Sequence, residues 1–205
     1  MWGSINGMNK PLTPTAAALL CTTLAAACAN AQPLNYLLDP AHSFVHFEVL
    51  HFGTSTLRGR IGPVQGSVLL DRSAGRGEVS LAVPTASVDT GFGPFNSRLR
   101  QADLLGSDAH PLAYFVSTQF VLRDGGVISL RGEFTWRGVS QPLTLTAQRF
   151  ACRQDSGSRP TAEVCGGDFE GELLRGDFGA SFGLPLVANR VRLLVQVEGR
   201  RTLSP

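Results

Sequence analysis

Residues 43–50 read Ser43-Phe44-Val45-His46-Phe47-Glu48-Val49-Leu50. On an extended chain Val45, Phe47 and Val49 share one face and Phe44, His46 and Glu48 the other, the period of two that marks a half-buried strand. The pattern recurs at 64–71, where Val64, Gly66, Val68 and Leu70 oppose Gln65, Ser67 and Asp71. It returns at 78–84, 114–122, 127–136, 143–150, 169–174 and 191–198. Turn-forming runs separate most of these segments: Ser73-Ala74-Gly75, Asp124-Gly125-Gly126 and Gly138-Val139-Ser140-Gln141-Pro142. Such punctuation marks hairpins. Helical periodicity is nearly absent, so the chain reads as an all-β antiparallel meander of eight strands.

One stretch breaks the rhythm. Between residues 89 and 111 the alternation stops, and 96–105 predicts a short helix with Leu99, Leu104 and Leu105 as its apolar positions. Asn96 or Ser97 is the expected N-cap and Gly106 the stop, with Gly91, Gly93 and Pro94 as an irregular approach. Phe92 and Phe95 stand on this otherwise polar stretch. A loop and helix inserted into a meander cover one mouth of a barrel.

Closure is expected because an open eight-stranded sheet leaves two unpaired edges. A closed barrel of eight strands is either just filled by its side chains or holds one small ligand. Parity places Val45, Phe47, Val49, Phe134, Trp136, Val191, Leu193 and Val195 inside, with Phe92 and Phe95 at the mouth. The opposite parity carries Glu48, Arg131, Glu133, Arg192, Gln196 and Glu198. Many inward residues are medium-sized aliphatics, which fit an apolar guest or a small dry core equally well.

Composition supports one soluble-type domain: 205 residues, 43% hydrophobic, 17% charged, with 23 glycines in no fixed period. The net charge is +2 and the basic residues are scattered, whereas a nucleic-acid interface needs a concentrated basic face. Lys10, the apolar run 15–27 and Ala29-Asn30-Ala31 form a secretory signal, so residues 1–31 are expected to be removed and 32–205 to form the barrel. The run is shorter than the ~20 residues of a membrane span. Export to a periplasm follows. Leu24-Ala25-Ala26-Ala27-Cys28 offers the alternative of a lipidated Cys28, but its leucine sits one place too early. Of four cysteines, Cys152 and Cys165 remain after cleavage and flank a polar segment. In an oxidising compartment they are expected to pair.

The residues offer little chemistry. His42 and His46 share a strand face and His51 points the other way, with no Cys, Asp or Glu completing a ligand set. His42 is instead expected to hydrogen-bond Asp39. There is no Gly-x-Ser-x-Gly elbow, and Asp39-His42-Ser43 is too local for a triad. Arg175-Gly176-Asp177 spells a cell-adhesion tripeptide, for which chance or a buried Arg–Asp contact is the expected explanation. No catalytic residue, metal ligand or cofactor is expected.

Several motifs carry a resemblance. Asp39-Pro40-Ala41-His42-Ser43 is followed by Val45-x-Phe47-x-Val49-x-His51, then Leu104-Leu105, His110-Pro111 and Phe115-Val116-Ser117-Thr118. Gly132 to Leu143, Cys165-Gly166, Arg175 to Gly179 and 191–198 complete the order. Together they resemble the YceI family of exported, lipocalin-like polyisoprenoid-binding proteins, across residues 36 to about 200. The resemblance implies a lipocalin-like barrel with one short helix over its mouth. It also implies a non-catalytic carrier for a long apolar chain, such as a polyisoprenoid, an isoprenoid quinone or a fatty-acid derivative. One departure concerns the helix end, Asp103-Leu104-Leu105-Gly106 where the family has a motif like Asp-Phe-Phe-Asp. The second reading is a non-catalytic interaction or stress-related module with a filled barrel, partnering a membrane redox protein.

Overall fold

The computed structural model describes residues 1–3, 32–155, 157 and 161–202; the expected signal and Cys28 lie outside them. Ten β segments form one antiparallel sheet: β1 (Leu34–Leu38), β2 (Phe44–His51), β3 (Ser55–Ile61), β4 (Gln65–Asp71), β5 (Arg76–Pro84), β6 (Leu112–Arg123), β7 (Gly126–Trp136), β8 (Val139–Asp155), β9 (Ala162–Leu174) and β10 (Arg190–Arg201). Helix α1 spans Gly93–Leu99.

These ten segments make eight staves. β1 and β2 lie end to end on one edge of β10, which pairs with β1 through Gly199–Arg201 and with β2 through Arg192–Gln196. β3 and β4 repeat the arrangement, β3 on β2 and β4 on β1. From β4 the order runs through β5 to β10, so the pairing of β1 with β10 closes an eight-stranded barrel. The breaks are bridged. In the first, the Asp39 amide donates to the Glu198 carbonyl at 2.7 Å, and the fully buried Ser43 hydroxyl bonds the Glu198 backbone at 3.3 Å. In the second, the Val64 amide donates to the Ser43 carbonyl at 2.8 Å, next to a cis Gly62–Pro63 bond.

The structure adds two segments to the eight read from sequence. In β1, Leu34, Tyr36 and Leu38 point inward between the exposed Asn35 and Leu37. In β3 the inward row is Leu57, Gly59 and Ile61, and the glycine breaks the apolar alternation. Gly59 lies opposite Phe47, and a Cβ there would stand 2.5 Å from the Phe47 ring. The ring occupies the space a side chain would need.

The helix also differs from the expectation of 96–105. It begins at Gly93 because Pro94 suits the first turn, where its missing N–H removes no bond. Asn96 is not the N-cap. Its side-chain oxygen accepts from the Thr90 amide at 2.8 Å and hydroxyl at 2.7 Å, tying the helix back to the loop before it. The chain then turns through 100–106 to Gly106, which has φ of 62°. Leu99, Leu104 and Leu105 still face the barrel.

Cys152 and Cys165 stand directly opposite each other on β8 and β9 and form a disulfide. Their sequence separation is 13, and closing a loop near 15 residues contributes about 3 kcal/mol in the chain-entropy account. The double variant Cys152→Ala/Cys165→Ala should therefore lose about 2–3 kcal/mol of unfolding free energy in urea. An unchanged urea midpoint would show that the bridge constrains nothing.

Candidate functional site: an apolar chamber beneath a short lid

The barrel interior at the α1 end holds a cavity of about 160 Å³. β2 contributes Val45, Phe47 and Val49, β7 contributes Phe134 and Trp136, and β10 contributes Val191, Leu193 and Val195. All eight interior positions read from parity thus lie in one wall. Phe92 and Phe95 do not. Phe92 is 63% exposed ahead of the helix, and the lid turns Leu99, Leu104 and Leu105 into the cavity instead. Leu81, Val83, Ala113, Phe115, Leu143 and Leu145 complete much of the lining.

Three wall residues carry polar side chains, and each is turned onto backbone. The Thr85 hydroxyl donates to the His110 carbonyl at 2.7 Å, and the Trp136 indole N–H to the Leu105 carbonyl at 3.2 Å. Arg175 is 5% exposed. Its guanidinium donates to the carbonyls of Ala188 (2.9 Å), Ala180 (2.6 Å), Phe182 (2.9 Å) and Val187 (2.8 Å). The wall therefore presents no polar atom to the cavity. The expected Arg175–Asp177 contact is not formed: Asp177 is exposed, and four carbonyl dipoles satisfy the buried cation. Burial pulls the Arg175 guanidinium below its ordinary pKa.

A second arginine fastens the lid, and sequence reasoning missed it. Arg137 sits at the tip of the β7–β8 hairpin with φ of 54°, followed by Gly138 at 74°, the conformation of a two-residue hairpin turn. Its Nη1 donates to the carbonyls of Ala102 (2.6 Å) and Leu104 (2.9 Å), and its Nε to that of Phe178 (2.9 Å). Phe178 in turn packs against Phe134 and Trp136, each with ring centroids 5.5 Å away. One side chain thus joins the lid, the 3-10 turn Arg175–Phe178 and the barrel rim. The available signal was a long donor at a position that favours Asn or Gly.

The opposite end of the barrel carries a polar cluster around Glu163. Tyr36, 2% exposed, donates its hydroxyl to Glu163 Oε2 at 2.8 Å, and Arg72 donates to Glu163 Oε1 at 2.5 Å. The disulfide, the Arg153–Glu198 pair at 3.0 Å and an Arg200–Asp155 pair lie on neighbouring strands. Burial, and secondarily the Glu163 carboxylate, push the Tyr36 phenol up to about 12.

The histidines hold no cluster of their own. His42 Nδ1 lies 3.0 Å from Asp39 Oδ2, as expected. Asp39, His42 and Glu198 bring ligand atoms within 4.8 Å of one another, but Glu198 is engaged by Arg153 and Asp39 accepts from the Ala41 amide at 2.9 Å. That amide and His42 hold the Asp39 carboxyl below its usual range. Among the described residues, His46 and His51 join no potential metal group.

Staves, lid and chamber together define an all-β, eight-stranded antiparallel closed barrel with one short helix. The chain belongs to the YceI-like domain family, which it matches over residues 36–199. "Protein YceI" of Escherichia coli O157:H7 is 31% identical over 173 residues, covering 83% of this chain and 88% of that protein. A "UPF0312 protein" of Pseudomonas paraeruginosa is 32% identical over 195 residues, covering 93% and 99%. Among solved structures, Burkholderia cenocepacia BcnA superposes with a TM-score of 0.61 at 18% identity, covering 76% of this chain and 95% of that one. A polyisoprenoid binding domain from Saccharophagus degradans gives 0.58 at 17%, covering 82% and 98%. These structures share the fold.

Two predictions follow from the ends of the barrel. Arg137→Ala frees three carbonyls of the lid and its neighbour, so amide exchange across residues 99–106 should quicken at least tenfold while β8 and β9 keep their protection. Unaltered exchange there would mean that Arg137 does not hold the lid. At the far end, absorbance titration should show one of the two tyrosines ionising near pH 12. The folded pKa exceeds the unfolded ~10, so this group's stabilisation is complete below pH ~10 and is lost as pH rises through about 12. Glu163→Gln should lower that pKa only partway, because burial remains. A full return to the ordinary value would assign the shift to Glu163 alone.

Proposed function

We propose that this protein is a non-catalytic carrier that holds the hydrocarbon chain of an isoprenoid or fatty-acid-type lipid in the lid-end chamber. The observation that carries the reading is a cavity wall without a polar atom, closed by a separate short segment rather than by the staves. Water in such a space finds no partners, and a dry apolar cavity of ~150 Å³ is known to accept benzene. Each CH₂ transferred there from water contributes about 0.8 kcal/mol, so recognition needs no polar contact with the tail. By the benzene measure the chamber takes roughly six carbons as it stands. A longer chain therefore displaces side chains or leaves part of itself at the mouth. The Saccharophagus degradans neighbour, a polyisoprenoid binding domain, supports an isoprenoid within this class. The apolar run 15–27 and Ala29-Asn30-Ala31 support loading outside the cytoplasm, after cleavage before Gln32.

Protein isolated from its host should release a co-purifying apolar chain on solvent extraction, read by mass spectrometry, and its intact mass should begin at Gln32. Val49→Phe places a ring in a space of about one ring's volume. Folded Val49→Phe protein should carry at least about tenfold less lipid, the equivalent of two unburied methylenes. An empty, dry wild-type chamber would favour the interaction-module reading. Equal lipid in the variant, with the same chain lengths, would move the binding site elsewhere.

A further inference from the structure

Beyond the lid-end chamber lies a second cavity of about 70 Å³, and Leu81, Leu145 and Val195 line both. We propose that these three residues form a waist that stops an apolar chain, and that the inner chamber is a seat for a hydrocarbon terminus, open only when the waist parts. The proposal rests on the carrier reading above.

The three residues come from β5, β8 and β10, so they converge from different sides of the barrel. Leu145 is the movable member. Gly171 on β9 leaves room for it: a Cβ at Gly171 would stand 2.8 Å from Leu145 Cδ2 and 2.7 Å from the Thr144 carbonyl. The narrowing on that side is therefore a leucine tip lying over bare backbone. Leucine has rotamers to exchange, whereas the β-branched Val195 is stiff at χ1.

The inner chamber is walled by Leu38, Val68, Val79, Phe120 and Phe169, with Tyr36 directing its hydroxyl onto Glu163. Cys165 of the disulfide lines the same chamber, and Glu163 binds Arg72 beside Tyr36. In the proposed arrangement a guest enters this chamber through the waist, from the lid end. Its leading end must be hydrocarbon, because a polar group there would leave water for a wall with no partner for it. The class of ligand is a single chain with one polar end, which stays at the lid. Chains with polar groups at both ends are excluded from the inner seat.

The test is a length series of 1-alkanols, propanol to hexadecanol, displacing a fluorescent apolar probe from the folded, disulfide-intact protein. Affinity should rise about fourfold per methylene while space remains, then level off at the waist. In Leu145→Ala the rise should continue for roughly three more carbons, the capacity of 70 Å³ by the benzene measure, so the longest alcohols bind about sixtyfold tighter than to wild type. Adding Val79→Phe, which fills the inner chamber, should restore the earlier plateau. Leu145→Val shifts the plateau in the same direction by less, and serves if the alanine variant does not fold by near-UV circular dichroism. α,ω-Diols of equal length should gain nothing from either change. A plateau at the same length in wild type and folded variants overturns the waist while leaving the carrier reading intact, and so does an equal gain for diols. Binding of no alcohol at all by wild type overturns both.

Discussion

The barrel depends on β10 finding two partners along a single edge. It pairs with β1 at one end and β2 at the other, and without that seam the sheet would keep two open edges. The first stave bends at residues 39–43 to follow it. At the bend the buried Ser43 hydroxyl substitutes for the missing ladder bonds on Glu198. The same seam fixes register. Arg192 on β10 binds Glu170 on β9 at 2.6 Å and Glu48 on β2 at 3.0 Å, and Glu48 binds Arg58 on β3 at 2.7 Å. These arginines hold the Glu48 carboxyl below its usual range, as Arg192 does for Glu170. Exposed pairs of this kind add little stability. A slip of one residue, however, would turn the whole row into the cavity, where unpaired charges cost several kcal/mol. The ion pairs thus discriminate against wrong registers more than they strengthen the right one.

Closing the mouth raises a different difficulty. A lid of irregular backbone brings carbonyls toward an apolar space, and buried carbonyls need donors. Arg137 and Arg175 supply them. Between them they serve Ala102, Leu104, Phe178, Ala180, Phe182, Val187 and Ala188, and among the described residues neither forms an ion pair with a carboxylate. A guanidinium has five N–H groups in a planar fork, so one side chain reaches several carbonyls that a lysine could not serve together. The arrangement keeps the polar needs of the loops outside the chamber. That separation leaves a wall of carbon around the cavity and gives an apolar guest its advantage over water.

The sequence revealed the inward rows of β2, β7 and β10 because each alternates cleanly, and all eight interior positions fell in the chamber wall. It hid β3 for a physical reason: Gly59 holds an inward position empty for the Phe47 ring, so the partner that explains the glycine lies on another strand. β8 and β9 run past their expected bounds, 143–150 and 169–174, because Cys165-Gly166-Gly167-Asp168 has no apolar rhythm. There the disulfide and tight glycine contacts hold the ladder. Phe92 and Phe95, expected near the mouth, stand on the lid segment rather than in the chamber wall. The lid was set instead by Pro94 starting the helix early and by Arg137 drawing residues 102–104 to the rim. Such contacts join residues more than thirty positions apart, beyond the reach of local pattern.

Ligand choice in such a barrel lies in a few side chains rather than in the staves. Structures at 17–18% identity keep the same staves, so the fold tolerates nearly complete change of sequence and fixes no ligand. The lid is one place where this chain departs, with Leu104 and Leu105 where the resembling motif has two phenylalanines. Leucines fill less volume than phenylalanines and lack a flat face to stack on a guest. Leu104 and Leu105 leave the lid end of the chamber apolar. The waist lies deeper, where Leu81, Leu145 and Val195 govern penetration rather than entry. In the proposed carrier, lid and waist act on opposite ends of the same chain. On the proposed reading, a change at either alters the length of hydrocarbon held without disturbing the β10 seam, so ligand preference can drift while the barrel stays closed.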